Sequence, residues 1–274
     1  MKRKNLPKMI VKALLSIIIG FIVLFPYLFM FVSAFKNKLD LFEYDRFFFF
    51  TPSLENFEAL VRDYNIFNAI GNSLVYVLAS VAGCMALSSL AAYALSRYKF
   101  KGRESLALDI MTLRILPPVV AVIPIYVIFQ MLGLFGTHLS LIIVYIAFNL
   151  PLGIWLTKTY FDELPIEVEE AATLDGCNKV KLLTSIVLPM SISGLTVTAF
   201  LLGIFIWNEF LFASILTTSS TRTVTVAAAM TIKQRFFTFG DNAACAVFVT
   251  LPMLIVFLIV EKYLMRALTF GMVK

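Results

Sequence analysis

Six apolar runs, at residues 10–35, 68–96, 107–131, 138–161, 191–217 and 242–264, dominate this sequence. Each reaches the length of about 20 residues that a helix needs to cross a hydrocarbon core. In lipid every backbone N–H and C=O must be bonded internally, which leaves only helices and closed barrels. Barrel strands alternate apolar and polar residues over units of about ten, and no stretch here does so. The fold class expected is all-α, a polytopic membrane protein with six transmembrane helices in one domain spanning 1–274. Composition agrees: 60% of residues are hydrophobic and 15% charged, where soluble domains carry about 25% charged residues. A single soluble core cannot hide so much apolar surface. Disorder, a basic nucleic-acid-binding domain and a disulfide-stapled module are excluded on the same grounds.

The start, Met1-Lys2-Arg3-Lys4, has the look of a signal peptide. The apolar run that follows extends to Phe35, beyond the roughly 7–15 residues of a signal h-region. It reads as an uncleaved first span. Cys84, Cys177 and Cys245 are an odd number without paired spacing, so neither a disulfide nor a metal site is expected.

Lysine and arginine set the orientation. With the N-terminus inside, the inner segments (1–12, 97–104, 158–189 and the tail after Val260) hold 15 basic residues. The outer segments 36–67, 132–137 and 218–241 hold 7. The excess predicts N-in and, with six spans, C-in. The cluster Arg97-Tyr98-Lys99-Phe100-Lys101-Gly102-Arg103 is the clearest anchor. It leaves the net charge of +6 needing no anionic partner. In the outer segment 36–67, Phe47 to Phe50 form an aromatic run at a membrane edge, read as an interfacial anchor.

The inner segment 158–189 departs from this pattern. It carries six acids and three bases. Pro165 suits a helix start, and acids in the first turn of Ile166 to Asp175 favour the dipole. Val168, Ala171, Ala172 and Leu174 give that helix an apolar side. Gly176 can take the left-handed conformation that ends a helix. Asn178 then caps a second helix over 179–187, with Val180, Leu183 and Ile186 on one side. The segment is a helix–Gly–helix module on the inner face.

Glu170-Ala171-Ala172, three residues, Gly176, nine residues, then Ile186-Val187-Leu188-Pro189 resembles the EAA motif of ATP-binding-cassette importer permeases at every defined position. Other stretches resemble the carbohydrate-uptake branch, of the maltose-permease second-subunit type. They are Leu54-Glu55-Asn56-Phe57, Asn72-Ser73-Leu74, Leu90 to Arg97, Arg114-Ile115-Leu116-Pro117-Pro118, Phe148-Asn149-Leu150-Pro151, Trp207-Asn208-Glu209-Phe210 and the tail Leu268 to Lys274. The resemblance covers nearly the whole chain. It implies a permease subunit in a prokaryotic cytoplasmic (inner) membrane, paired with a second homologous permease, two ATPase subunits and an extracytoplasmic solute-binding protein that delivers a carbohydrate. It implies that Glu170, Ala171, Ala172, Gly176, Ile186, Leu188 and Pro189 couple the chain to the ATPase. No phosphate-cradling GxxxxGK[ST] loop occurs in the sequence. ATP and Mg therefore belong to the partner, and the chain is expected to be no enzyme and to hold no cofactor of its own.

Charged groups within spans are costly and suggest function. Arg114 lies about 12 Å into span three and Glu209 about 27 Å into span five at 1.5 Å per residue, depths that disfavour a direct pair. Trp207, Asn208, Glu209, Asn149 and Arg114 are the candidate pathway residues: indole stacks on a sugar face and amides bond hydroxyls. Bundle packing is the competing role for each. His138, near the outer end of span four, reads as a satisfied interfacial side chain. An ion-coupled secondary transporter is the alternative; it would show inverted repeats and midplane acids, and the halves of this chain do not repeat. A membrane-embedded enzyme would need a clustered catalytic set, which one His and scattered acids do not supply.

Overall fold

The computed structural model describes residues 6–37, 39–41, 43, 49–233 and 239–270. Those residues are helical wherever they have regular structure. Four helices are each long and apolar enough to cross a membrane: α1 (Leu6–Ala34), α3 (Ile66–Arg97), α6 (His138–Asp162) and α13 (Phe239–Phe270). The count rises to six if each of two sharply bent helix pairs forms one span.

The first of those pairs and a separate break near Asn208 correct the sequence expectation of continuous third and fifth spans. The run 107–131 is divided between α4 (Arg103–Thr112), a 3-10 turn at Leu113–Ile115, and α5 (Pro118–Met131), which meet at 88°. Consecutive prolines cause this. A residue preceding proline is pushed out of the helical region, and both Leu116 (ψ 126°) and Pro117 (ψ 124°) are extended. The run 191–217 is also divided. Its α10 (Ile192–Trp207) ends at Asn208, and a separate α11 (Leu211–Leu216) follows, with α12 (Val224–Lys233) beyond it. Sixteen residues of α10 rise only about 24 Å. At its other end α10 meets the preceding helical segment Lys179–Met190 at 81°.

Two compact units divide the described chain. The first holds residues up to Ile66 and Ala227–Leu251. Within it α1 is apolar on all sides, and none of its hydrophobic window is buried, as expected of a helix surrounded by lipid or by other chains. The segment 36–67, expected as a loop, contains α2 (Glu55–Tyr64). Its Asn56 is fully buried and donates to the carbonyls of Ala34 at 2.9 Å and Lys36 at 2.7 Å. Phe57 packs on Phe35 and Phe248. In the expected aromatic anchor, Phe49 is 87% exposed, and Phe47 and Phe48 lie outside the described residues.

The second unit holds Phe67–Val226 and Pro252 onward. One apolar cluster joins Tyr76 of α3, Phe129 of α5, Leu141 and Tyr145 of α6, Ile206 of α10 and Phe212 of α11. Another joins Ala92 and Tyr93 of α3, Phe161 of α6, Leu183, Val187 and Leu195. Small residues let these helices approach, as van der Waals packing in lipid requires. A Cβ on Gly153 of α6 would stand 3.1 Å from Ser88 Oγ and 3.2 Å from Cys84 Sγ of α3, and a Cβ on Gly194 of α10 would collide with the Tyr160 ring of α6.

Candidate functional site

The segment carrying the long motif folds as two short helices around a glycine. Pro165 (φ −64°, ψ 124°) precedes α7 (Ile166–Leu174), which has Glu167 and Glu169 in its first turn. Its end is a Schellman arrangement: the Gly176 amide donates to the Thr173 carbonyl at 3.0 Å and the Cys177 amide to Ala172 at 3.0 Å. Gly176 sits at φ 86°, where any other L-residue is strained. Asn178 Oδ1 then accepts the Lys181 amide at 2.8 Å and caps the next helix. That helix runs as α8 (Lys179–Leu182), a π turn (Leu183–Val187) and α9 (Leu188–Met190).

The buried face of this helix differs from the one that spacing predicts. Sequence spacing predicts Val180, Leu183 and Ile186 on one side. The buried residues are instead Leu182, Leu183 and Val187, while Val180 is 71% exposed. The wide turn rotates the residues beyond it relative to α-helical spacing. A similar reversal affects α7. Its expected apolar side stays uncovered, with Leu174 89% exposed and Val168 39% exposed. The side turned inward carries Glu169.

Glu169 is the residue that sequence reasoning passed over. Its Oε1 accepts from Arg97 Nε at 2.6 Å, and its Oε2 accepts from the Tyr93 hydroxyl at 3.1 Å. Arg97 also donates to the Phe161 carbonyl at 2.8 Å and to Ser96 Oγ at 2.8 Å. Ser96 in turn donates to Asp162, which pairs with Lys158. A signal existed: Arg97 ends the Leu90–Arg97 stretch, but its charge is accounted for by topology alone. Glu170 is exposed and lines a cavity of about 530 Å³ with Tyr98, Thr173, Leu174 and Lys179. Of the other motif residues, Ala171 and Pro189 are exposed, and Ala172, Ile186 and Leu188 are half-buried.

The candidate pathway residues do not form one group. Trp207 is buried, and exposed Asn208 donates back to the Ile204 carbonyl of its own helix at 2.8 Å. Asn149 is buried and donates to Tyr145 O at 2.9 Å. Arg114 is exposed and stands 4.8 Å above the Phe205 ring. Glu209 accepts the Phe212 amide at 2.8 Å, the Ala213 amide at 3.1 Å and the Tyr145 hydroxyl at 3.0 Å. Its carboxylate thus caps α11 and ties it to α6, and its carbonyl accepts from Thr225 at 2.9 Å. Glu209→Ala is expected to leave two helix-terminal amides and a phenol without an acceptor. The cost is about 2 kcal/mol, read as a lower unfolding midpoint in detergent. A residue that only lined a pathway would leave that midpoint unchanged.

A second set of contacts pins residues 217–224 to the start of α3. Asn72 donates to the carbonyls of Ser220 at 2.9 Å and Arg222 at 3.1 Å, and Tyr76 donates to Thr221 at 2.7 Å. Ser73 Oγ accepts the Val224 amide at 2.8 Å. His138 Nε2 lies 3.1 Å from Asn72 Oδ1, and its ring stacks on Tyr76. The Asn72-Ser73 pair in the sequence was the visible trace of this clasp. Of the segment 218–241, residues 234–238 lie outside the described ones.

Residues 84–272 match the family described as "Binding-protein-dependent transport system inner membrane component". A probable ABC transporter permease, y4oR of Sinorhizobium fredii, is 34% identical over 257 residues, covering 94% of this chain and 92% of the relative. The trehalose/maltose transport system permease protein MalG of Thermococcus litoralis is 33% identical over 282 residues, with 99% of each chain covered. Among solved structures, a chain of a bacterial ABC transporter involved in import of the acidic polysaccharide alginate superposes with a TM-score of 0.79. That match is 21% identical and covers 96% of this chain and 98% of the other.

Proposed function

Because this chain belongs to the family of binding-protein-dependent transport system inner membrane components, we propose that it is a permease subunit of an ATP-binding-cassette importer that moves a carbohydrate. Relatives named for trehalose and maltose transport support the substrate class. The observation that carries the coupling part of the proposal is the geometry of 158–189. A short helix ends in a fixed Schellman turn and leaves Glu170, Leu174 and Val180 uncovered together with the acidic excess of its segment. Such a helix suits a groove on a moving partner, where exposed apolar anchors supply affinity and charge supplies register.

In this reading the basic excess of the inner segments 1–12, 97–104, 158–189 and the tail after Val260 sets an N-in, C-in topology. The chain works beside a second homologous permease, and an extracytoplasmic binding protein supplies the sugar. Two ATPase subunits hold ATP and Mg. Their closure on ATP moves the Ile166–Met190 module, and hydrolysis returns it. Wherever the pathway runs, Trp207, Asn208, Glu209, Asn149 and Arg114 act on it from separate positions, several of them through helix packing.

The test is purification of the tagged chain from detergent-solubilised membranes. An ATPase and a second permease are expected to co-purify, and the reconstituted complex is expected to take up one member of a panel of labelled mono- and oligosaccharides only with ATP. Transport by the isolated chain in proteoliposomes, driven by an ion gradient without ATP, would overturn the proposal in favour of a secondary transporter.

A further inference from the structure

We propose that Arg97 and Glu169, with Tyr93, are positioning residues that make α7 move as one body with the ends of α3 and α6, so that force applied to α7 reaches the spans. The inference rests on the proposed function and goes beyond it by naming the internal contact through which the coupling helix acts.

Mechanical isolation is the difficulty that such a contact solves. A nine-residue helix is too short to be stable alone, and α7 is held in the chain by two bends. Pro165 lies before it and Gly176, at φ 86°, after it. A push on a helix so tethered would be absorbed by rotation at the bends. The structure supplies a third attachment, on the first turn of the helix itself. The Arg97 guanidinium stands at the last residue of α3 and bonds Glu169 in the first turn of α7. It also bonds the carbonyl of Phe161 in the last turn of α6. One planar fork therefore joins three helices, a geometry that guanidinium provides and an ammonium does not.

Burial makes the joint stiff. The side chains of Arg97 and Glu169 are 11% and 9% exposed. Water and salt therefore weaken this pair far less than they weaken surface pairs. Breaking it would leave a largely buried charge without its partner, which is costly. Tyr93 occupies the second carboxylate oxygen, so Glu169 is held at both. Beneath this polar joint lies the apolar cluster of Ala92, Phe161, Leu183 and Val187, which seats the second helix of the module against the same two spans. Glu170, one residue further, is exposed at the cavity beside this joint and is open to a partner. Adjacent acids thus divide the work: Glu169 is buried and bonded to the spans, and Glu170 is exposed to a partner.

The experiment uses the complex carried by the tagged chain, with Glu169→Gln, Arg97→Gln, Arg97→Lys and Tyr93→Phe. Three quantities are read: the amount of ATPase co-purified, the rate of Mg-ATP hydrolysis, and uptake of the sugar that the wild type selects from the labelled panel. Glu169→Gln and Arg97→Gln are expected to keep the ATPase and its hydrolysis while uptake per ATP falls about ten-fold, within the range of coupling energies between sites. Arg97→Lys keeps the charge but loses the fork, and is expected to fall between these and the wild type. Uptake per ATP unchanged in the glutamine variants would overturn the inference. If those variants fail to reach the membrane, Tyr93→Phe decides. It removes one hydrogen bond and no charge, and a normal coupling ratio in it would overturn the inference too. A wild type that holds no ATPase at all overturns the proposed function itself, a different result from intact hydrolysis with unchanged coupling.

Discussion

A chain carrying Gly176→Pro is expected to reach the membrane in normal amount, yet to hold no ATPase during purification and to support no uptake. Gly176 lies at φ 86°, and proline is locked near −65°. The substitution also removes the amide that donates to the Thr173 carbonyl at 3.0 Å. The turn between α7 and the following helix therefore opens, and the exposed residues on its two sides lose their common arrangement. The fold survives because its anchors lie elsewhere. The second helix keeps its Asn178 cap and its buried Leu182 and Leu183.

Gly176→Ala separates backbone conformation from crowding. A Cβ at this position meets nothing within 4 Å, so the only cost is that of a left-handed alanine, about 1–2 kcal/mol. A partial loss of uptake is expected there. Glu170→Lys completes the series from the side-chain direction. It lies on an exposed face, where stability changes stay within about 0.5 kcal/mol, yet it reverses the charge offered to a partner. Loss of ATPase retention with normal chain abundance is the expected outcome. Wild-type uptake and a stable complex in both Gly176→Pro and Glu170→Lys would remove this segment from the coupling mechanism.

What the sequence discloses of this molecule follows the reach of each interaction. Long apolar runs locate α1, α3, α6 and α13 within a few residues, because lipid requires helices and sets their length. Local signals were enough for the Gly176 turn and the Asn178 cap, whose partners lie three to five residues away. The broken spans sit at an intermediate level. Pro117-Pro118 is visible in sequence, but an 88° bend depends on what the freed segment packs against. The break at Asn208–Phe210 depends on Glu209 turning forward to cap α11.

Contacts across the chain were illegible. Glu169 and Glu170 are adjacent and chemically alike. The choice of which turns inward is made by Arg97, 72 residues earlier. Asn72 meets its carbonyl partners 148 and 150 residues later. The π turn at Leu183–Val187 has no composition of its own, so spacing places Leu183 correctly but puts Ile186 where Val187 is buried. The motif marked the segment that matters, and tertiary structure chose which of its residues face the spans.

The packing of α10 on α6 supports the largest expected effect on stability. Gly194→Leu should prevent the chain from accumulating in the membrane, whereas Gly203→Ala in the same helix should leave it unchanged or slightly more stable. Both substitutions gain helix propensity, about 1 kcal/mol for alanine over glycine, so propensity cannot separate them. Space does. A Cβ at Gly203 would rest 3.7 Å from Val77 and 4.0 Å from Val81, which is ordinary contact. At Gly194 it would fall on the ring of Tyr160, near its attachment point rather than at a flexible tip. The ring cannot swing clear without moving α6. Overpacking a fixed contact costs about 1–3 kcal/mol, so Gly194→Ala should be destabilised by about 1 kcal/mol net once propensity is credited. Leucine adds three further carbons to the same collision and exceeds what the interface can absorb. The check is membrane abundance together with the unfolding midpoint in detergent for Gly194→Ala, Gly194→Leu and Gly203→Ala. Equal midpoints for Gly194→Ala and Gly203→Ala would mean that α6 and α10 do not approach through this glycine, and the 81° bend that brings α10 onto α6 just after Ser191 would lose its packing rationale.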